Sequence, residues 1–162
     1  METTDILIYT DGSCDMNKKD SGTGGYAAII YKNKLPLFIS GYAEKTTNQR
    51  MEMMAVITSL EYITEPSAIT LCTDSAYIYN CIEQKWYVNW RKNGWINSKN
   101  EPVANKDLWE RMLSSLEFHK SVKFVKVKAH KDNPFNNKCD ELAKDIVDFQ
   151  QMIYNSIQKK LS

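Results

Sequence analysis

The sequence has no closely spaced cysteines: Cys14, Cys72, Cys81 and Cys139 fit neither a CxxC pair nor a metal finger. They read as reduced packing thiols, which excludes a disulfide-stapled secreted scaffold and points to the cytoplasm. No apolar run approaches the ~20 residues of a membrane span, so no membrane partner is expected. A signal peptide is also missing, because the opening METTDILIYT is acidic and passes straight into a strand pattern. Net charge is nearly absent: 21 Lys and Arg oppose 20 Asp and Glu, giving +1. Bulk charge therefore neither demands nor excludes a nucleic-acid partner, and local clusters must decide. There is no repeat, low-complexity tract or linker. At 162 residues with 43% hydrophobic content the chain holds one proper core. The expectation is a monomer, with a single domain over 1–150 and a loosely held tail over 151–162.

What is present is a regular succession of elements. Residues 5–11 form a buried strand ending at Asp11 and a Gly-Ser turn, and the polar, glycine-rich run 14–25 reads as a loop. Strands follow at 25–32 and 36–43, then a helix within 46–63 with Thr47 or Asn48 as N-cap. Residues 68–73 give a fourth strand, ending at Asp74. Because a helix intervenes, that strand is expected to pair in parallel with the first. A short helix at 75–84, a tryptophan-bearing insert at about 85–104, a helix at 105–118, a strand at 121–128 and a last helix from near Pro134 complete the chain.

On the 46–63 helix, Glu52 starts a stripe that continues through Val56, Ser59, Leu60 and Ile63. A carboxylate on a core-facing stripe is costly unless something positive meets it. Asp11 and Asp74 close strands expected at the centre of the sheet, where α/β sites form, and Asp140 lies near the start of the last helix. Taken singly, Asp11 could serve a turn, Asp74 could cap a helix and Asp140 could be solvated. Together the four can share one pocket. Each like-charge pair at ~4 Å and an effective dielectric of ~20 then costs about 4 kcal/mol. Such a cluster needs protons or hard cations, and oxygen ligands suit Mg²⁺ or Mn²⁺.

The strings YTDGSC (9–14), TTNQRMEMMA (46–55), TDSAY (73–77), NWRKNGW (89–95), DLW (107–109) and KCDELA (138–143) resemble type 1 ribonuclease H in order and spacing. The resemblance covers Asp5 to about Val147. It implies the α/β ribonuclease H-like fold: a five-stranded mixed sheet, first three strands antiparallel, flanked by helices and carrying a helical basic and aromatic insert. It also implies two-metal cleavage of the RNA strand of RNA/DNA hybrids, leaving 5′-phosphate and 3′-hydroxyl ends. By resemblance Asp11, Glu52, Asp74 and Asp140 hold two ions, Asp11 touching both, and His130 shuttles protons or helps product leave. His119 is read instead as a helix C-terminal residue suited to the dipole. An integrase-like nuclease is disfavoured by the insert and the TTNQRME string, and a non-catalytic hybrid binder by the intact acids.

The same resemblance implies minor-groove contacts from Asn17, Asn48 and Gln49, and a pocket for a DNA phosphate from Lys45, Thr47 and Asn105. It has Tyr77 and Trp86 packing on deoxyriboses and Cys14 lining the groove, while Trp90 and Trp95 are core of the insert. Lys85, Arg91 and Lys92 give that insert phosphate-binding charge. Three departures stand out: a longer loop at Lys18, Lys19 and Asp20, Ala76 in place of a longer side chain, and Asn93 and Ala104 where basic residues are common. The last implies weaker, more salt-sensitive hybrid binding than a relative with a basic insert.

Overall fold

A computed structural model describes residues 6–15, 22–33, 35–128 and 134–161. Five strands, β1 (Ile6–Asp15), β2 (Thr23–Lys32), β3 (Leu35–Ala43), β4 (Ala68–Thr73) and β5 (Ser121–Lys126), form one sheet in the order β3-β2-β1-β4-β5. β1, β2 and β3 pair antiparallel, while β4 runs parallel to both β1 and β5. The parallel pairing follows from the intervening helix, which returns the chain to the same end of the sheet. The five helices are α1 (Asn48–Tyr62), α2 (Ala76–Glu83), α3 (Trp86–Lys92), α4 (Lys106–Phe118) and α5 (Pro134–Leu161).

Alternation along the strands sorts side chains onto two faces. Ile6, Ile8, Ala28, Ile30, Ile69, Leu71 and Phe124 meet Met53, Val56, Ile57 and Leu60 of α1 and Leu108, Trp109 and Met112 of α4 in the main core. Because α1 lies between the sheet and α4, it is buried nearly all round. α5 packs against β1, β2 and β3, closely enough at Gly25 that a Cβ there would clash with the Ala143 carbonyl. Trp90 and Trp95 lie 6.2 Å apart, tilted ring to ring, and pack against the main core from the insert.

Two expectations need correction, the ends of β1 and β5. β1 does not stop at Asp11: Gly12 to Asp15 continue the strand against β2, with Gly12 opposite Tyr26 and Ser13 opposite Gly25. Gly-Ser resembled a turn, but the long antiparallel partner outweighs local propensity. Of the two possible caps, Thr47 caps α1, its Oγ1 accepting from Arg50 N–H at 3.1 Å. α5 runs helical to Leu161, and beyond residue 150 its Met152, Tyr154 and Ile157 stay exposed. β5 ends at Lys126, two residues early. All four cysteines are free thiols, three of them buried. Among the described residues no helix is long and apolar enough to cross a membrane.

Candidate active site

β1 and β4 run side by side in constant register, Ile6 facing Ile69 and Tyr9 facing Cys72. Carried two residues further, that register sets Asp11 level with Asp74, where β4 ends and β1 continues. α1 approaches β1 at Gly12: a Cβ on that residue would overlap the Glu52 amide nitrogen and the Met51 carbonyl carbon. Only glycine allows the helix backbone so near, and the contact brings Glu52 over the sheet end. One carboxylate oxygen from each of Asp11, Glu52 and Asp74 then falls within 4.8 Å of the other two.

Protons reflect the crowding. Glu52 is pushed up to about 10, first by burial, then by the charges of Asp11 and Asp74 and a hydrogen bond with Asp11. Asp11 rises to about 7 through burial, Asp74 and Asp140, offset by bonds from Glu52 and the Gly12 N–H, the latter at 2.9 Å. Asp11 and Glu52 thus titrate as one unit that holds a proton near neutral pH. Glu52 Oε2 is buried and has no hydrogen-bond partner. A buried, unpaired carboxylate oxygen facing two further carboxylates is a donor set of hard oxygens that fits a divalent cation.

Asp140 stands apart from that triad, on α5, its Oδ2 accepting from Lys144 Nζ at 2.9 Å. It still acts on Asp11 through its charge. Cys139 beside it is buried and points its Sγ at the Tyr9 carbonyl, 3.3 Å away, and burial pushes its thiol up to about 12, which makes it inert. His130, Asn17, Lys18, Lys19 and Asp20 lie outside the described residues.

The other expected contacts line up along the starts of α1, α2, α3 and α4. Cys14 is half-buried on β1, its Sγ 3.5 Å from the Thr46 carbonyl. Lys45 is exposed in a left-handed conformation (φ +50°), followed by Thr47 and Asn48 at the start of α1. Gln49 reaches across to α4, its Oε1 accepting from Asn105 Nδ2 at 3.2 Å. Tyr77 sits edge-on to Trp86, centroids 6.5 Å apart, and its hydroxyl accepts from Trp109 Nε1 at 3.0 Å. Lys92 is exposed, while Arg91 gives its guanidinium to Glu117 at 2.8 Å.

Sequence reasoning missed Arg50 and Asp107. The pair joins α1 to α4 by two bonds, 3.0 and 2.7 Å, and the bond from Arg50 holds Asp107 below the usual carboxylate range. Arg50 stood inside the TTNQRME string and Asp107 inside DLW, but nothing local couples residues 57 positions apart. His119 also differs from expectation: it is buried, Nδ1 accepting from Ser67 N–H at 3.3 Å and Nε2 lying 3.0 Å from the Leu60 carbonyl. It closes α4 as its C-cap and ties that helix end to α1 and to the start of β4.

The family profile described as RNase H matches residues 3–148. A Ribonuclease H of Chlorobaculum parvum is 47% identical over 144 residues, spanning 89% of this chain and 95% of that protein. One from Caldicellulosiruptor saccharolyticus is 44% identical, spanning 88% and 96%. Among solved structures, a foamy viral protease-reverse transcriptase in complex with dsDNA superposes with TM-score 0.73 at 25% identity, over 87% of this chain and 92% of that one. LC9-RNase H1, a type 1 RNase H with the type 2 active-site motif, shares the fold with TM-score 0.76 at 21% identity, over 93% of this chain and 75% of that one.

Proposed function

The chain belongs to the ribonuclease H family, type 1, and on that basis we propose that it is an endonuclease hydrolysing the RNA strand of RNA/DNA hybrids. Its products carry 5′-phosphate and 3′-hydroxyl ends. The observation that carries the reading is the triad of Asp11, Glu52 and Asp74 gathered within 4.8 Å, with Glu52 Oε2 buried and unpaired. The enzyme depends on divalent metal, and our reading assigns two Mg²⁺ ions, with Mn²⁺ able to replace them. Bound there, they supply the Lewis acidity that activates an attacking water and stabilises the leaving 3′ oxygen.

The chain's own residues hold this arrangement ready. Asp11 and Asp74, fixed by the register of β1 and β4, present oxygens from a rigid floor. Glu52 adds its orphaned oxygen from the α1 side, and Asp140 adds charge from the α5 side, with Lys144 restraining its rotamer. His130 is assigned the proton-handling and product-release role. Cys14, Asn17, Asn48 and Gln49 are assigned to the RNA side of the minor groove; Lys45, Thr47 and Asn105 to a DNA phosphate; Tyr77 and Trp86 to deoxyriboses; Arg91 and Lys92 to flanking phosphates. An aromatic packed on a sugar excludes a 2′-hydroxyl, which is how a duplex with two RNA strands would be refused. We place the protein in the cytoplasm as a monomer, with residues 1–150 as the catalytic unit and 151–162 as its tail.

The test offers labelled RNA/DNA hybrid, double-stranded RNA and double-stranded DNA, each with Mg²⁺ and with chelator. Cleavage of the RNA strand of the hybrid alone, and only with metal, is expected. Cleavage of double-stranded RNA at a similar rate, or metal-independent cleavage, would overturn the reading.

A further inference from the structure

Asn105 is of the residue type that favours helix N-caps, yet it does not cap α4. Its backbone is left-handed (φ +62°) and its side chain makes no bond to the α4 amides. The side-chain amide is held from α1 instead: Oδ1 accepts from Arg50 Nη1 at 3.1 Å, and Nδ2 donates to Gln49 Oε1 at 3.2 Å. Arg50 is anchored in turn on both oxygens of Asp107. A guanidinium has donors and no acceptor, so only the oxygen end of the Asn105 amide can face it. Nδ2 therefore turns the other way. It gives one hydrogen to Gln49 and has a second to offer an acceptor outside the protein.

We propose that Arg50 is a positioning residue that fixes which end of the Asn105 amide meets the nucleic acid. It sets an N–H, never an oxygen, against a backbone phosphate of the DNA strand, and ties that contact to Gln49 on the RNA side. The inference rests on the hybrid-cleaving function and on Asn105 as the DNA-strand contact. With the fork broken, Asn105 Oδ1 loses the charged donor that holds the side chain in this rotamer, the amide swings away, and its N–H bond to the phosphate is lost. A plain structural clamp would act differently. An ion pair this exposed adds little to stability and nothing to substrate affinity.

Arg50→Lys keeps the charge and loses the fork. Steady-state cleavage of a hybrid by wild type, Arg50→Lys, Asn105→Ala and the double variant separates the possibilities. KM should rise about tenfold in Arg50→Lys, the equivalent of one lost hydrogen bond, with kcat held within about twofold. In the Asn105→Ala background the same change should add nothing. Asp107→Asn, which unanchors Arg50 without reaching the nucleic acid, should repeat the KM effect if Arg50→Lys folds poorly. A wild-type KM in Arg50→Lys, or a KM effect fully additive with Asn105→Ala, overturns the positioning role. A wild-type KM in Asn105→Ala removes the phosphate contact beneath it, and a wild type unable to cut hybrid removes the function itself, so the three failures are told apart.

Discussion

Glu52 sits where a bare charge is hardest to hold, and its neighbours make the position worse rather than better. Asp11 and Asp74 repel it, burial desolvates it, and its Oε2 finds no donor. Without metal the molecule answers by keeping a proton on the Asp11–Glu52 pair, so both groups are raised well above their unfolded values of 3.8 and 4.5. A carboxyl raised on folding stabilises the native state fully below its unfolded pKa, and that contribution is lost as pH climbs through the folded one. Metal-free protein should therefore weaken from about pH 4 upward, most steeply between about 4.5 and 7 where both groups contribute, and more gently beyond, where only Glu52 still does. Asp11→Asn removes the charge and keeps the shape. In chelator its melting temperature should match wild type near pH 4 and exceed it by about 5 °C near pH 8. Thermal melts followed by circular dichroism decide this, and a lower value for the variant at high pH would mean the acids do not repel. Asp74→Asn answers for chemistry: with an acceptor lost from the cation cradle, cleavage should fall on the order of 10³-fold. Hybrid affinity, read by fluorescence anisotropy, should stay within about threefold, because the substrate contacts lie elsewhere.

Between elements, the decisive contact is the approach of α1 to β1, and it depends on Gly12. Any Cβ there overlaps backbone of Met51 and Glu52, which cannot rotate aside as a side-chain tip would. Gly12→Ala should cost about 2–3 kcal/mol of stability by overpacking. It should lower kcat on the order of 10²-fold as Glu52 is lifted off the sheet end. Chemical denaturation and single-turnover cleavage measure the two, and an alanine variant with wild-type values for both would show the approach is looser than drawn. Gly12 also marks the limit of what the sequence made legible. Strand and helix identities were readable because β-branched runs and the Glu52 stripe carry their own periods, and order alone implied the parallel β1–β4 pair. The convergence of Asp11, Glu52 and Asp74 could be inferred because the two aspartates were read at the ends of neighbouring parallel strands and Glu52 on the stripe that faces them. Gly12 was misread as a turn, since a glycine required by a helix on the next layer looks no different from one required by a bend. The Arg50–Asp107 fork was invisible for the same reason: it joins two helix starts that no local pattern relates. Hybrid contacts from Asn17 and the role of His130 remain expectations of resemblance, because those residues lie outside the described chain.

Taken whole, the molecule meets a polyanion with almost no net charge, +1, so its grip must come from a few local cations. On the proposed reading the insert offers Lys85, Arg91 and Lys92, and Arg91, bonded to Glu117 in the free protein, would trade that partner for a phosphate. Asn93 and Ala104 add no charge. Fewer neutralised phosphates mean fewer released counterions, and the slope of log K against log salt scales with their number. Weaker binding thus comes with a shallower salt dependence, not the steeper one that a sparse insert first suggested. The expectation is corrected by the physics of the duplex. Glu117 lies at the end of α4, away from the acid cluster, which makes it a clean handle on this balance. Glu117→Gln frees Arg91 without altering the site, so on the cleavage-deficient Asp74→Asn background hybrid affinity should rise and the salt slope should steepen by about 0.9, one added phosphate contact. Anisotropy titrations across a series of KCl concentrations give both quantities. Tighter binding with an unchanged slope would mean that Glu117 acts only by repelling the duplex. No change in either would take Arg91 off the interface altogether.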